Sequence, residues 1–303
     1  MRYATIDVGT NTVLLLVAER RPDGSFVAVD ERMEITRLGR GVDRTGQLDP
    51  AAIADTVAAV RRFAAAARDA GAAQLVVTAT SAARDARDGS RFLAAAGEAA
   101  GVPVEGISGD LEAELAYESA RRDFGAGGGD LAVVDIGGGS TELIYGSGRQ
   151  ILFRRSFDVG AVRLTERWLH DDPPSAGELR ALRGDLASVL AAAPPPPPGA
   201  KLVGIAGTVT TLVAIHLGLD TWDGGRVHGM ELTAAEVRGL ARKLGAMPLA
   251  ERRKLPGLPE KRADVIVAGA EILAAVMEKL GFSAVTASDR GVRWGMLYER
   301  FGG

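Results

Sequence analysis

The sequence predicts a mixed α/β protein built from two duplicated domains. Three observations predict it. The chain has 303 residues, more than one hydrophobic core usually serves. Short apolar strands alternate with helical stretches along its length. The opening strand–turn–strand also returns at an offset of 128 residues, with Asp7 aligning on Asp135, Gly9 on Gly137, Thr12 on Ser140, Leu15 on Leu143 and Leu16 on Ile144, the mark of an internal repeat on the scale of a domain.

The first domain is expected over residues 1–124. Residues 3–9 read as a strand, Thr10-Asn11 as a turn, and residues 13–18 as a second apolar strand. Asp23-Gly24 is a hairpin signal that places a third strand at 26–30. Asp49-Pro50 opens a helix, with Asp as N-cap and Pro in the first helical position. Its residues Ile53, Val57, Val60 and Phe63 recur at helical spacing. A strand at 75–79 leads into the loop Thr80-Ser81 and a helical stretch carrying Arg84. A helix over 90–100, an extended stretch over 102–107 and a helix over 110–124 follow. Residues 125–129, with four glycines, read as a hinge or linker.

The second domain is expected over 125–289. Residues 131–137 mirror the first strand, Gly138-Gly139-Ser140-Thr141 replaces the first turn, and residues 142–145 replace the second strand. A strand at 150–157 and helices over 161–170 and 175–193 come next. Five prolines, 194–198, form an exposed connector. Residues 201–206 read as a strand entering Gly207-Thr208 and an apolar helix through Ile215. A helix over 265–280 shows Ile266, Ala270, Leu273 and Met277 on one face, and a last strand lies at 284–287. The closing helix, within 290–303, is expected to pack on the first domain.

Composition narrows the chemistry. There is no cysteine, which removes disulfides, thiol nucleophiles and cysteine-ligated zinc and fits a cytoplasmic protein. The three histidines lack ligand spacing. No apolar run approaches the roughly 18 residues that cross a bilayer, so no membrane association is expected. Lys plus Arg number 36 against 39 Asp plus Glu, a net charge of −3, which speaks against nucleic-acid binding through bulk charge. The 31 arginines against 5 lysines suit anionic ligands, though an Ala- and Gly-rich composition accounts for them equally.

Chemistry is expected at the repeated turns. In Asp135-Ile136-Gly137-Gly138-Gly139-Ser140-Thr141-Glu142, glycines let the backbone approach an anion and successive N–H groups form a nest. Ser140 and Thr141 add side-chain donors. A tight hairpin alone needs fewer glycines. Carboxylates beside a polyanion repel it unless a divalent cation bridges them, so Asp135 and Glu142 point to Mg²⁺; Asp7 joins them as its counterpart in the first repeat. Thr10, Asn11 and Thr12 offer the same turn with fewer glycines. Gly207 and Thr208 open a helix whose first amides favour an anion, although glycine there also serves plain strand–helix packing. Arg84 lies past a strand end, where open α/β sheets bind ligands. Glu112 stands in a first helical turn, where the helix dipole alone favours acidic residues.

Together these segments resemble the exopolyphosphatase and guanosine pentaphosphate phosphohydrolase (Ppx/GppA) family, within the actin/sugar kinase/heat-shock ATPase superfamily. The matching pieces are Ile6-Asp7-Val8-Gly9-Thr10-Asn11-Thr12, Thr80-Ser81-Ala82-Ala83-Arg84-Asp85-Ala86, Ile107-Ser108-Gly109-Asp110-Leu111-Glu112-Ala113, and Val134-Asp135-Ile136-Gly137-Gly138-Gly139-Ser140-Thr141-Glu142-Leu143. Ala206-Gly207-Thr208, Pro256-Gly257-Leu258-Pro259 with Arg262-Ala263-Asp264, and Ser288-Asp289-Arg290-Gly291-Val292-Arg293 complete the set in family order.

The resemblance implies two ribonuclease H-like, actin-like ATPase domains with a cleft between them. It also implies Mg²⁺-dependent release of orthophosphate from inorganic polyphosphate or from guanosine pentaphosphate (pppGpp), with room for a homodimer. Glu112 matches the family's catalytic glutamate, Asp135 and Glu142 its acidic positions near the metal, and Arg84 and the turn amides would position the phosphates. Leu111 and Glu114 depart from the family string, which often carries an acidic residue and an arginine there. The chain stops after the second domain, and from this a preference for short polyphosphate is expected. The other readings are a small-molecule kinase of the same fold and a non-catalytic nucleotide sensor.

Overall fold

The computed structural model describes residues 1–302. The first half runs β1 (Arg2–Val8), β2 (Thr12–Arg20), β3 (Phe26–Ile35), α1 (Val42–Thr45), α2 (Pro50–Asp69), β4 (Ala72–Ala79), α3 (Ser81–Asp85), α4 (Gly89–Ala100), β5 (Val104–Gly106) and α5 (Gly109–Phe124). The second continues with β6 (Asp130–Ile136), β7 (Thr141–Ser147), β8 (Gln150–Phe157), α6 (Ala161–Trp168), α7 (Ala176–Leu190), β9 (Lys201–Ile205) and α8 (Ala206–Leu217). It ends with α9 (Gly224–Val227), β10 (Glu231–Thr233), α10 (Ala234–Ala246), α11 (Leu249–Arg252), α12 (Ile266–Leu280), β11 (Ala284–Ala287) and α13 (Val292–Phe301). The chain divides into two compact units, one of Met1–Ser119 with the residues from Val292 onward, the other of Ala120–Gly291. The first division falls inside α5; the glycine run 125–129 is the turn between α5 and β6.

Unit 1 is a five-stranded sheet in the order β3-β2-β1-β4-β5. β1 pairs antiparallel with β2 and parallel with β4, and β4 is parallel to β5. Alternation along β2 feeds two cores: Leu15 and Val17 pack with Ile6, Val60 and Phe63 under α2, while Leu16 and Ala18 pack with Phe26, Trp294, Leu297 and Phe301 under α13. Asp49 caps α2, its carboxylate accepting from the amides of Ala51 and Ala52. β3 runs five residues past the expected end at Asp30. Three of the five, Glu31, Arg32 and Glu34, are charged, which breaks the apolar alternation, and ion pairs hold them: Arg32–Asp30, Arg62–Glu34 and Arg293–Glu31.

Unit 2 is a six-stranded sheet in the order β10-β11-β9-β6-β7-β8. The helix expected to show one apolar face, α12, is buried on nearly all sides because α6, α7, α8 and α10 all contact it. α10 has no counterpart in the sequence reading, although Thr233 and Glu236 form a capping box at its start. The proline run joins α7 to β9, with the Tyr145 hydroxyl donating to the Pro194 carbonyl at 2.8 Å. Among the described residues no helix is long and apolar enough to cross a membrane.

Candidate active site

In unit 1 the functional candidates gather where the parallel strands end. The amide of Thr80 donates to the Val8 carbonyl at 3.1 Å and that of Ile107 to the Ala79 carbonyl at 3.0 Å. These bonds set the β1–β2 turn, α3 and α5 along one sheet edge, the position at which open α/β sheets bind ligands. The Ser108 hydroxyl caps α5 by accepting from the Leu111 amide at 3.2 Å. Asp110 in that first turn is exposed, as a plain cap residue would be, whereas Glu112 is buried. Arg84 donates through Nη1 to Glu112 Oε2 at 3.3 Å and to the Ile107 carbonyl at 3.1 Å. Arg84, expected as a phosphate clamp, is thus engaged with Glu112 and with the backbone just before α5.

The β1–β2 turn closes on a bond from the Gly9 amide to the Thr12 carbonyl, 2.9 Å. Its remaining carbonyls are tied back by the segment after β3. Gly39 N–H donates to Thr10 O at 2.8 Å, and Thr36 and Arg37 both donate to Asn11 O at 3.1 Å. A trans peptide points its N–H opposite to its C=O, so the amides of Asn11 and Thr12 face the other way. Arg37 reaches this arrangement with φ of 57°, a left-handed conformation that side chains other than glycine seldom adopt.

Beside this turn Asp7 is buried, and burial pushes its carboxyl up to about 6 against the opposing pull of Arg293. Asp7 Oδ1, Asn11 Oδ1 and the hydroxyl of Thr78, the β4 neighbour of Asp7, are buried without a hydrogen-bond partner. Each such atom costs about 1–3 kcal/mol. Two of these atoms belong to candidate residues, Asp7 and Asn11, and all three can take a hydrogen bond or a cation contact from water or a ligand.

Unit 2 repeats the device with other parts. Gly137 N–H donates to Ser140 O at 3.0 Å. The carbonyls of the turn are then taken up by the start of α6: Ala161 N–H to Gly137 O at 2.9 Å, Val162 N–H to Gly138 O at 2.8 Å, and the Arg163 side chain, through Nε, to Gly139 O at 2.7 Å. Among the described residues no protein acceptor takes the amides of Gly138, Gly139 and Ser140. Gly160 permits this contact, since a Cβ there would overlap the backbone of Gly138 and Gly139.

Asp135 and Glu142 stand directly opposite in the β6–β7 register, where unit 1 pairs Asp7 with Leu14. Opposed residues of antiparallel strands share a face, so the two carboxylates are neighbours, both buried. Glu142 Oε1 accepts from the Ser156 hydroxyl at 2.7 Å. Thr141, expected to contact substrate, is a correction: it is fully buried and its hydroxyl donates to Val159 O at 2.5 Å. Ser140 keeps its place in the turn.

One strand along the sheet, Ala206 enters α8 with φ of 66°. Thr208, expected at a phosphate, donates to Ile136 O at 3.3 Å, linking α8 to the end of β6. The buried Arg262 lies over Gly207, donating to its carbonyl at 3.1 Å and to the Thr211 hydroxyl at 2.8 Å. Burial pushes this guanidinium down to about 10. Sequence reasoning placed no role on Arg262, Arg163, Gly160 or the 36–39 segment. No spacing marks them in the sequence, since backbone amides do most of the work; both tie-back segments follow the third strand of their repeat.

Among the described residues no group of three or more His, Asp or Glu side chains converges to hold a cation. Any cation here takes part of its coordination from substrate or water.

A family model described as the Ppx/GppA phosphatase family matches residues 16–302. The chain is 34% identical to Exopolyphosphatase 2 of Mycobacterium tuberculosis, over 99% of both chains. Among solved structures, the Aquifex aeolicus member of the Ppx/GppA family is 31% identical with a TM-score of 0.83, covering 99% of this chain and 97% of that one. An exopolyphosphatase from Cytophaga hutchinsonii is 25% identical with a TM-score of 0.89, covering 99% and 98%.

Proposed function

This chain belongs to the Ppx/GppA phosphatase family, and from that premise we propose that it is an exopolyphosphatase, releasing orthophosphate from the end of inorganic polyphosphate. The observation that carries this reading is the pair of turns whose carbonyls are tied back so that their amides face outward. Successive amides facing one way suit phosphate oxygens, and each unit supplies such a turn.

In the proposed reaction the oxygen of a water attacks the terminal phosphorus, and the bond from that phosphorus to the bridging oxygen breaks. Orthophosphate forms and the shortened chain leaves with its negative charge. Glu112, aimed by Arg84, accepts the proton of the water. The amides of Asn11 and Thr12 in unit 1, and of Gly138, Gly139 and Ser140 in unit 2, hold phosphate oxygens. Thr10, Gly207 and Thr208 shape the turns around them.

The residues fit a divalent cation such as Mg²⁺. Asp135 and Glu142 form an adjacent buried pair of carboxylates, a donor set of the kind a divalent cation takes, and Asp7 has a carboxylate oxygen with no hydrogen-bond partner. Two carboxylates completed by water and phosphate oxygens are an ordinary Mg²⁺ environment. Such a cation would neutralise charge on the reacting phosphate; Asp135 and Glu142 are the residues of unit 2 that would hold it, and within unit 1 Asp7 is the carboxylate open to a cation.

A second substrate, pppGpp, draws on one observation. Trp222 in unit 2 is 60% exposed, an indole available to stack on a base. Orthophosphate release is to be measured with polyphosphate of several lengths and with pppGpp, each with Mg²⁺ and no ATP. The expected result is release from polyphosphate, abolished in Glu112→Gln with polyphosphate binding retained. Release from pppGpp that collapses in Trp222→Ala would favour the second reading. Intact protein inactive on both substrates would overturn both.

A further inference from the structure

We infer that Arg163 is a positioning residue for the glycine-rich turn: its side chain holds the Gly139–Ser140 peptide so that the Ser140 N–H faces the substrate phosphate. The inference rests on the phosphate-releasing reading above and adds a residue to it.

Three successive peptides follow Gly137, and each must turn its carbonyl away from the phosphate for its amide to point toward it. The first is held by the amide of Ala161 and the second by the amides of Val162 and Arg163, at 2.8 and 3.1 Å. Both anchors belong to the backbone at the start of α6 and survive any side-chain change. The third peptide is held by a side chain, the Arg163 Nε–H on Gly139 O at 2.7 Å. Gly139 does not itself resist rotation, because glycine populates both signs of φ. A flip of this peptide would present a carbonyl oxygen to a phosphate oxygen and turn attraction into repulsion.

Unit 1 shows what the arrangement requires. There the last peptide of the turn, Asn11–Thr12, is held by two backbone amides, those of Thr36 and Arg37. The residues flanking it, Asn11 and Thr12, carry side chains that restrict rotation. Unit 2 has glycine in the turn and one arginine side chain in place of both backbone anchors.

Removing one preorganised donor from a charged reaction centre costs on the order of 100-fold. A peptide that still spends part of its time in the correct orientation costs less. Arg163→Ala is therefore expected to lower kcat/KM for polyphosphate by about 10–100-fold, carried mainly by KM because the amide holds phosphate before and during reaction. Arg163→Lys can still donate to Gly139 O and should recover much of the loss. Guanidinium ion at millimolar concentration should restore activity to Arg163→Ala. The melting temperature should change little, since the backbone anchors of α6 remain.

Unchanged KM in Arg163→Ala, or a loss that neither lysine nor guanidinium restores, overturns the inference while leaving the exopolyphosphatase reading intact. An inactive wild-type protein overturns the reading itself. If Arg163→Ala fails to fold, tripolyphosphate binding by Arg163→Lys and Arg163→Gln decides: glutamine also offers an N–H, and equal, severe loss in both sinks the positioning role.

Discussion

The two turns that repeat across this chain reach one geometry by different means. Both close with a glycine amide on a carbonyl three residues on, at 2.9 Å in unit 1 and 3.0 Å in unit 2. Both have their carbonyls drawn back by the segment that follows the third strand. In unit 1 that segment is a loop that relies on backbone amides and a left-handed Arg37. In unit 2 it is the first turn of a helix, assisted by an arginine side chain. Duplication therefore preserved the direction of the amides and not the residues that enforce it. Opposite the shared aspartate the units diverge in chemistry: Leu14 in one, Glu142 in the other.

Glu142→Leu, which copies unit 1 into unit 2, is the strongest way to test that divergence. If the second carboxylate makes the unit 2 turn a cation site, phosphate release should fall on the order of 10²–10³-fold, the several kcal/mol a bound cation contributes. Steady-state rates against Mg²⁺ concentration would show it. An unaltered Mg²⁺ dependence would mean that Glu142 serves only Ser156.

Asp7 probes the corresponding place in unit 1. Its carboxyl titrates near 6 when folded and near 3.8 otherwise, so the folded state carries an unfavourable charge above pH 6, on the order of 3 kcal/mol. Wild-type stability should rise as pH falls from about 6 to 4, as the folded protein takes up the proton first. Asp7→Asn should be the more stable protein at neutral pH in EDTA, with the advantage gone below pH 4. Parallel urea titrations at pH 4 and 7.5 check this; an equal difference at both would show that the charge is already compensated.

The two close-packing glycines should separate next. Gly160→Ala sets a Cβ against backbone, Gly39→Ala against the rotatable side chain of Thr10. Overpacking costs about 1–3 kcal/mol, and Gly160→Ala should lie at the upper end with Gly39→Ala at the lower. Denaturant midpoints that reverse this order would show the unit 2 contact to be the more forgiving one. Smallest of all, Arg37→Gly should stabilise unit 1 by roughly 0.5–1 kcal/mol by relieving its left-handed backbone, a shift visible in thermal melts.

Much of this was legible in the sequence, for physical reasons. The strands of both turns are apolar and interrupted by Asp-x-Gly, so their ends stand out. Glu112 and the unit 2 carboxylates break patterns that would otherwise be apolar or capped. The tie-back segments were not legible, because their work is done by backbone amides that any residue except proline supplies. Arg163 sits among 31 arginines and nothing in its spacing separates it from a surface residue. Thr141 was misread because a hydroxyl next to a glycine run looks the same whether it faces a ligand or, as here, a buried carbonyl. The second half of β3 was lost because its residues are held by ion pairs instead of by apolar alternation.

The return of α13 to unit 1 has a consequence for how the protein is made. Leu16, Ala18 and Phe26 find most of their buried partners in Trp294, Leu297, Tyr298 and Phe301, and the Thr5 hydroxyl donates to Arg293 O across 288 residues of sequence. At ribosomal speeds of about 5–20 residues per second, that partner arrives roughly 15–60 s after its strand. During that interval unit 2, a continuous stretch of chain, can complete itself. One greasy face of the first-made sheet waits bare until residues 292–301 have been made, so a ribosome that stalls before residue 292 leaves behind a nascent chain that chaperones must shield.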